Sequence, residues 1–290
     1  VGGGDYAFSQ DSVGISLYDM QIRDATTGDT ITINTEITTI SAVAEAILDG
    51  AVKDLNNPDD IWVHAMNHSW GNVLQLDTSI YTLQNAVRES YRNKVLFVAA
   101  KGNHGQNETS YPAVFRDDWV LSVGGSNFNG NWFGNSAFSA NWGSDMDIIA
   151  PFNNNYTTEA TSNQSYSYFN GTSFASPLVC ATGALLMSYY DYNAVNKNLY
   201  PEDIENILEL TAYDSQNLLD SCYLGYDAHS GWGRLDAGRG LAVLANADNR
   251  LIQTDTIFTS STVDTTYIDT IFLDYNYQGF NQSYLNNPLN

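Results

Sequence analysis

Positive charge is scarce in this chain. Its 290 residues carry 11 Lys and Arg against 33 Asp and Glu, a net charge of -22. Such a surface repels phosphate backbones and sets nucleic-acid binding aside. It suits a protein kept soluble in salty surroundings, and it also supplies oxygen ligands for a hard cation such as calcium. No loop carries Asp residues at EF-hand spacing, so calcium is not assigned to any residues. Long apolar runs are missing as well: none approaches the roughly 20 residues that cross a bilayer. No basic-then-apolar leader opens the chain, and we expect any signal or pro-segment to have been removed. Cysteine is reduced to Cys180 and Cys222. That pair reads either as one disulfide of a secreted protein or as two buried thiols. We expect the disulfide, and with it an extracellular setting.

What is present is enough for a sizeable core: 43% of the residues are hydrophobic. Up to about residue 245, short apolar runs alternate with amphipathic stretches, the pattern of βαβ units around a mostly parallel sheet. Residues 13–22, 61–66, 95–100, 119–123 and 147–150 read as strands. The run at 95–100 is continuously apolar, as expected of a strand covered on both faces. Residues 40–55 carry a helical stripe through Ile40, Val43, Ala44, Ile47, Leu48, Ala51, Val52 and Leu55. Residues 79–91 form a second such helix, with Ser79 as its N-cap. Residues 174–190 read as a long buried helix, and Pro201 opens another that runs to Thr211.

Composition changes after Ala245. No Lys or Arg follows Arg250, and the text becomes rich in Thr, Asp and Tyr. Thr254-Asp255-Thr256-Ile257-Phe258 nearly recurs as Ile268-Asp269-Thr270-Ile271-Phe272. We therefore divide the chain into a domain of residues 1–247 and an extension of residues 248–290, built of exposed strands or an extended linker. The extension is the candidate attachment to a surface assembly.

The sharpest chemical signal is Asn170-Gly171-Thr172-Ser173-Phe174-Ala175-Ser176-Pro177, followed at once by the apolar helix. A nucleophilic Ser needs an exposed hydroxyl on a tight turn, with the positive end of a helix beneath the developing charge. Gly171 permits the turn, and Pro177 is expected within the first helical turn, where its missing N–H is not needed. Upstream stands Val98-Ala99-Ala100-Lys101-Gly102-Asn103, in which a neutral amide donor closes an apolar strand. Three weaker blocks accompany these two: Met66-Asn67-His68-Ser69-Trp70-Gly71, Asp147-Ile148-Ile149-Ala150-Pro151 after Phe138-Ser139, and Gly231-Trp232-Gly233-Arg234-Leu235-Asp236-Ala237.

In their order and wording these five blocks resemble the subtilisin-like serine peptidases, over roughly residues 10 to 245. The resemblance implies a three-layer α/β fold with helices on both faces of the sheet. It implies Ser173 as nucleophile and Asn103 as an oxyanion donor. It also implies that Ser69, Trp70, Gly71, Ala100, Lys101 and Gly102 flank a peptide substrate. No cofactor is implied for the chemistry, and structural calcium is a family-level expectation. Lys101 either faces the substrate pocket, favouring acidic side chains, or points to solvent.

The departures matter as much. The family's Asp and His motifs precede the strand that residues 17–22 resemble, and no His stands among the first 63 residues. None of His64, His68, His104 and His229 has a His-Gly-Thr context, so structural or surface roles are expected for all four. Asp19 has the context of a later strand. Glu45 and Asp49 have the helical spacing used by the related sedolisins, but their helix comes one βα unit too late. Two readings follow. One is an endopeptidase whose Asp and His lie on a separate upstream segment that stays bound to this chain. The other is a non-catalytic binding or structural module.

Overall fold

The computed structural model describes residues 40–53, 56, 62–71, 78–115, 119–134, 138–159, 165–193, 199–214 and 225–246, and the backbone of 256–257 and 265–266. At its centre is a four-stranded sheet of β1 (Ala65–His68), β2 (Leu96–Ala100), β3 (Leu121–Ser126) and β4 (Ile148–Pro151), ordered β1-β2-β3-β4. Every neighbouring pair is parallel, with His68 beside Ala99, Ala100 beside Val123 and Gly124 beside Ile149. The strand expected at 13–22 lies outside the described residues, as does Asp19.

Side chains alternate across the strands, and the two faces bury separate cores. On one face Leu96, Val98, Val123, Ile148 and Ala150 meet α3 (Thr172–Asn193), α4 (Pro201–Thr211) and α5 (Ala237–Asn246) through Val179, Leu186, Ile204, Ile207 and Leu244. On the other, Met66, Phe97 and Ala99 meet Ala44 and Ile47 of α1 (Ile40–Ala51) and Leu83 and Val87 of α2 (Thr78–Arg92). The three layers expected from the sequence are therefore present. β2 is buried along its whole length, which is why its residues read as an uninterrupted apolar run.

Several boundaries differ from the sequence reading. α4 keeps its expected bounds, with Pro201 opening it and the Tyr200 amide donating to Asp203 Oδ2 at 2.9 Å. α2 begins at Thr78, so Ser79 lies inside the helix rather than at its N-cap. α3 begins at Thr172, two residues before the expected start, which puts Pro177 in the second turn. There the ring removes the N–H that would pair with the Ser173 carbonyl four residues back. The Ser69 hydroxyl donates to that carbonyl instead, at 2.8 Å.

Beyond β4 a two-stranded antiparallel hairpin, β5 (Asn155–Thr158) and β6 (Tyr166–Phe169), leads directly into α3. In the C-terminal extension, β7 (Thr256–Ile257) pairs antiparallel with β8 (Thr265–Thr266).

The disulfide expected between Cys180 and Cys222 is not what the described residues hold. Cys180 is a free thiol, 9% exposed, on the core side of α3. Cys222 lies outside the described residues. Burial among apolar side chains pushes the Cys180 thiol up to about 12, so it stays protonated and unreactive. In the native protein Cys180 should resist iodoacetamide at pH 8, and it should alkylate fully in denaturant when followed by peptide mass mapping.

Candidate active site

Parallel strands deliver their C-terminal ends to one edge of the sheet, where helices begin and ligands are met. Here that edge carries the ends of β1 and β2 and the start of α3. Ser173 is the second residue of α3, so its backbone N–H is among those a helix leaves without an internal partner. Its hydroxyl donates to the Ser69 carbonyl at 3.1 Å.

The two chain segments hold each other reciprocally. Ser176 donates to Asn67 Oδ1 at 2.7 Å, the Asn67 amide donates to Ser69 Oγ at 2.9 Å, and Ser69 Oγ donates to the Ser173 carbonyl. Asn67 and Ser176 were absent from the expected site set. Their contact spans 109 residues of sequence, and only the place of each inside a motif block hinted at it.

Asn103 is turned toward the same helix start. Its Oδ1 accepts from the Thr172 amide at 2.8 Å and the Thr172 hydroxyl at 3.0 Å. A backbone N–H can only donate, so the atom facing it is the amide oxygen. That fixes the flip of the side chain and leaves the Asn103 NH₂ as the donor beside Gly171 and the Ser173 amide. The Thr172 hydroxyl accepts in turn from the Gly102 amide at 3.1 Å. Two donors held by bonds to their own scaffold need no rearrangement when charge develops on a bound oxygen.

The expected substrate-flanking residues are brought together, with one exception. Ser69, Trp70 and Gly71 follow β1, and Ala100 and Gly102 close β2 beside them. A side chain at Gly71 would run into Ser110 Oγ, 2.5 Å from an added Cβ, with the carbonyls of Tyr111 and Ala100 in contact beside it. Lys101 is the exception. Its side chain is fully buried, facing neither the pocket nor solvent, with Nζ 2.5 Å from Asp145 Oδ2 and 3.2 Å from the Glu108 carbonyl. Desolvation lowers its pKa, while the hydrogen bond and charge of Asp145 and the charges of Asp147 and Glu108 oppose that fall. A buried ammonium persists only when paired in this way.

All four histidines are occupied away from the Ser173 hydroxyl or exposed to solvent. His64 is exposed just before β1 and stands against Trp62. His104 pairs with Glu108 at 2.6 Å, a contact that lowers the Glu108 pKa. His229 stacks on Trp142 and meets Trp132 edge-on. His68 stacks on Phe97 at 3.8 Å, and its Nδ1 accepts from Trp70 Nε1, which places the ring proton on Nε2. Glu45 and Asp49 sit on the exposed side of α1, opposite Ala44 and Ile47.

Burial lowers the His68 pKa from 6.5 to about 3. The unfolded chain therefore takes up a proton near pH 6.5 that the folded chain refuses until about pH 3. Stability held above pH 6.5 is lost as pH falls through that window, by roughly 2 kcal/mol at pH 5. Urea denaturation at pH 7 and pH 5 should show this loss, and His68→Met should remove that share of it.

Among the described residues, Asp147, Glu205 and Glu209 bring carboxylate oxygens within 4.8 Å of one another. They are the residues there that could hold a calcium ion. Asp147 already accepts from the Ser122 amide at 2.5 Å, and none of the three belongs to the nucleophile site.

Known proteins resemble this chain in sequence and in fold. Subtilisin DY of Bacillus licheniformis is 35% identical over 147 residues, 49% of this chain and 47% of that protein. A cell wall-associated protease of Bacillus subtilis is 31% identical over 193 residues, 60% of this chain and 20% of that one. The chain thus spans less than half the length of either relative. Among solved structures, the prenylagaramide maturation protease PagA superposes with a TM-score of 0.56 at 26% identity, covering 71% of this chain and 68% of that one. Residues 14–233 match the Subtilase family. With Ser173 at the head of α3, Asn103 turned toward it, and the family match covering most of the chain, this protein belongs to the subtilase family.

Proposed function

We propose that this chain is the nucleophile and oxyanion portion of a serine endopeptidase. Ser173 attacks the scissile carbonyl of a peptide, and the Asn103 amide and the Ser173 N–H receive the developing oxyanion. The observation that carries this reading is the fixed Asn103 amide at the start of the Ser173 helix. A module that only bound peptide would have no use for a neutral donor locked beside a serine hydroxyl. Ser69, Trp70, Gly71, Ala100 and Gly102 flank the substrate backbone.

The general base and its orienting carboxylate come from an upstream segment. Each histidine of this chain has another setting, and the Ser173 hydroxyl rests on a backbone carbonyl, which is no base. On this reading the protein is secreted, as its acidic surface suits. No described helix is long and apolar enough to cross a membrane. Structural calcium at Asp147, Glu205 and Glu209, and attachment to a surface assembly through residues 248–290, belong to the same proposal.

The test is reconstitution. Residues 1–290 alone should cleave casein no faster than the ~10³–10⁴-fold over water that an oxyanion hole and binding provide. Joined to the natural upstream segment, the chain should gain activity that Ser173→Ala removes. Equal activity of the isolated chain and the assembly would contradict the proposal.

A further inference from the structure

The turn that presents Asn103 is held by a residue no motif points to. Asn141 is fully buried 38 positions downstream, in the segment that leads to β4. Its side chain reaches both sides of the turn. Nδ2 donates to the Lys101 carbonyl at 3.1 Å and to Glu108 Oε2 at 2.9 Å. Oδ1 accepts from the His104 amide at 2.8 Å and the Gln106 amide at 3.2 Å. The Asn141 backbone N–H adds a bond to the Gly102 carbonyl at 2.9 Å. Asn103 is thus the residue between two that Asn141 grips, Gly102 and His104.

The packing leaves no slack. Gly102 has φ +107°, and a Cβ there would lie 2.5 Å from Asn141 Nδ2. The buried Lys101 extends the same clamp, since its Nζ joins the Glu108 carbonyl and Asp145, four residues after Asn141. An ion pair of this kind is weak evidence for stability, and breaking it would leave the buried Lys101 charge uncompensated. Turn 101–108 and segment 141–145 are therefore bound by side-chain contacts on both sides of Asn103, the residue that bonds Thr172 at the start of the Ser173 helix.

We propose that Asn141 is a positioning residue for the oxyanion donor Asn103, and that the Lys101–Asp145 ion pair anchors the same turn. Asn141 touches no substrate. It holds the Asn103 amide where the tetrahedral oxygen forms, and a shift near 1 Å in such a group costs about 10²-fold in rate. This inference rests on the peptidase reading.

The experiment uses the chain assembled with its upstream segment. Asn141→Ala should lower kcat by about 30- to 100-fold with KM changed less than about threefold, because the oxyanion contact is made mainly in the transition state. In an Asn103→Ala background the same substitution should cost less than about threefold, since the donor it positions is gone. Equal losses in the two backgrounds would assign Asn141 a purely structural role and overturn the inference, as would an unchanged kcat. Should Asn141→Ala fail to fold, Asp145→Asn decides. It keeps the side chain's shape and a partly exposed position, and its kcat loss must likewise vanish when Asn103 is alanine. A wild-type assembly without activity contradicts the peptidase reading itself, whereas an active one with additive losses contradicts only this inference.

Discussion

Replacing Ser173 with alanine should lower kcat of the assembled enzyme by about 10⁶-fold, a magnitude that belongs to subtilisin, a relative of this chain. On the proposed mechanism the acyl intermediate forms on the Ser173 oxygen, which alanine lacks. The Ser173 hydroxyl, the proposed nucleophile, stands at the start of α3, where the helix leaves N–H groups without internal partners. The substitution removes one oxygen, and with it the bond to the Ser69 carbonyl. The Ser173 carbonyl keeps its bond from Ser69 Oγ, so the link between β1 and α3 survives. Stability should therefore change little while turnover disappears, and denaturation beside steady-state kinetics separates the two.

Replacing Asn103 with alanine should cost about 10²–10³ in kcat, again the range measured for the equivalent loss in subtilisin. Here the geometry predicts an added structural effect. Asn103 Oδ1 accepts both polar hydrogens of Thr172, and without it the Thr172 amide at the helix start loses its partner. Asn103→Asp separates the contributions. It retains an acceptor for Thr172 and replaces the NH₂ donor with a charge that repels an oxyanion, so folding should hold while kcat falls at least as far as in the alanine variant. An Asn103→Asp enzyme with near-native turnover would remove Asn103 from the oxyanion site.

The fold was legible where local chemistry and tertiary demand agree. Pro201 at the head of an amphipathic run defined α4, and the unbroken apolar run from Val95 to Ala100 declared a strand covered on both faces. The start of α3 was misjudged because Thr172 and Ser173 are indifferent helix formers and Pro177 normally belongs to a first turn. What extends the helix back to Thr172 is a tertiary bond: Ser69, 104 residues away, supplies the donor that Pro177 lacks.

The site shows the same division. Ser173 and Asn103 stand in recognisable local wording, and the structure brings both to the start of α3. Asn67, Ser176 and Asn141 act through contacts between 33 and 109 residues apart, which no local pattern encodes. Lys101 was assigned to pocket or solvent because lysine is rarely buried. Its partner Asp145 lies 44 residues on and gave no sign in sequence of the pairing. Cys180 was paired with Cys222 on their number and an expected secreted setting; Cys180 lies as a free thiol among apolar residues of α3, and Cys222 lies outside the described residues.

The central proposal is that a base supplied from upstream activates Ser173, and that none of His64, His68, His104 and His229 does so. A fluorophosphonate probe reports this directly, because it phosphonylates a serine only when a base and an oxyanion hole act on it together. Residues 1–290 and the same chain joined to its upstream segment would be incubated with the probe at equal concentration, and the adduct located by peptide mass spectrometry. The account predicts a stoichiometric adduct on Ser173 in the assembly and none on the isolated chain over the same interval. Labelling of Ser173 at equal rates in both, or an adduct in the assembly on any other serine, would contradict it.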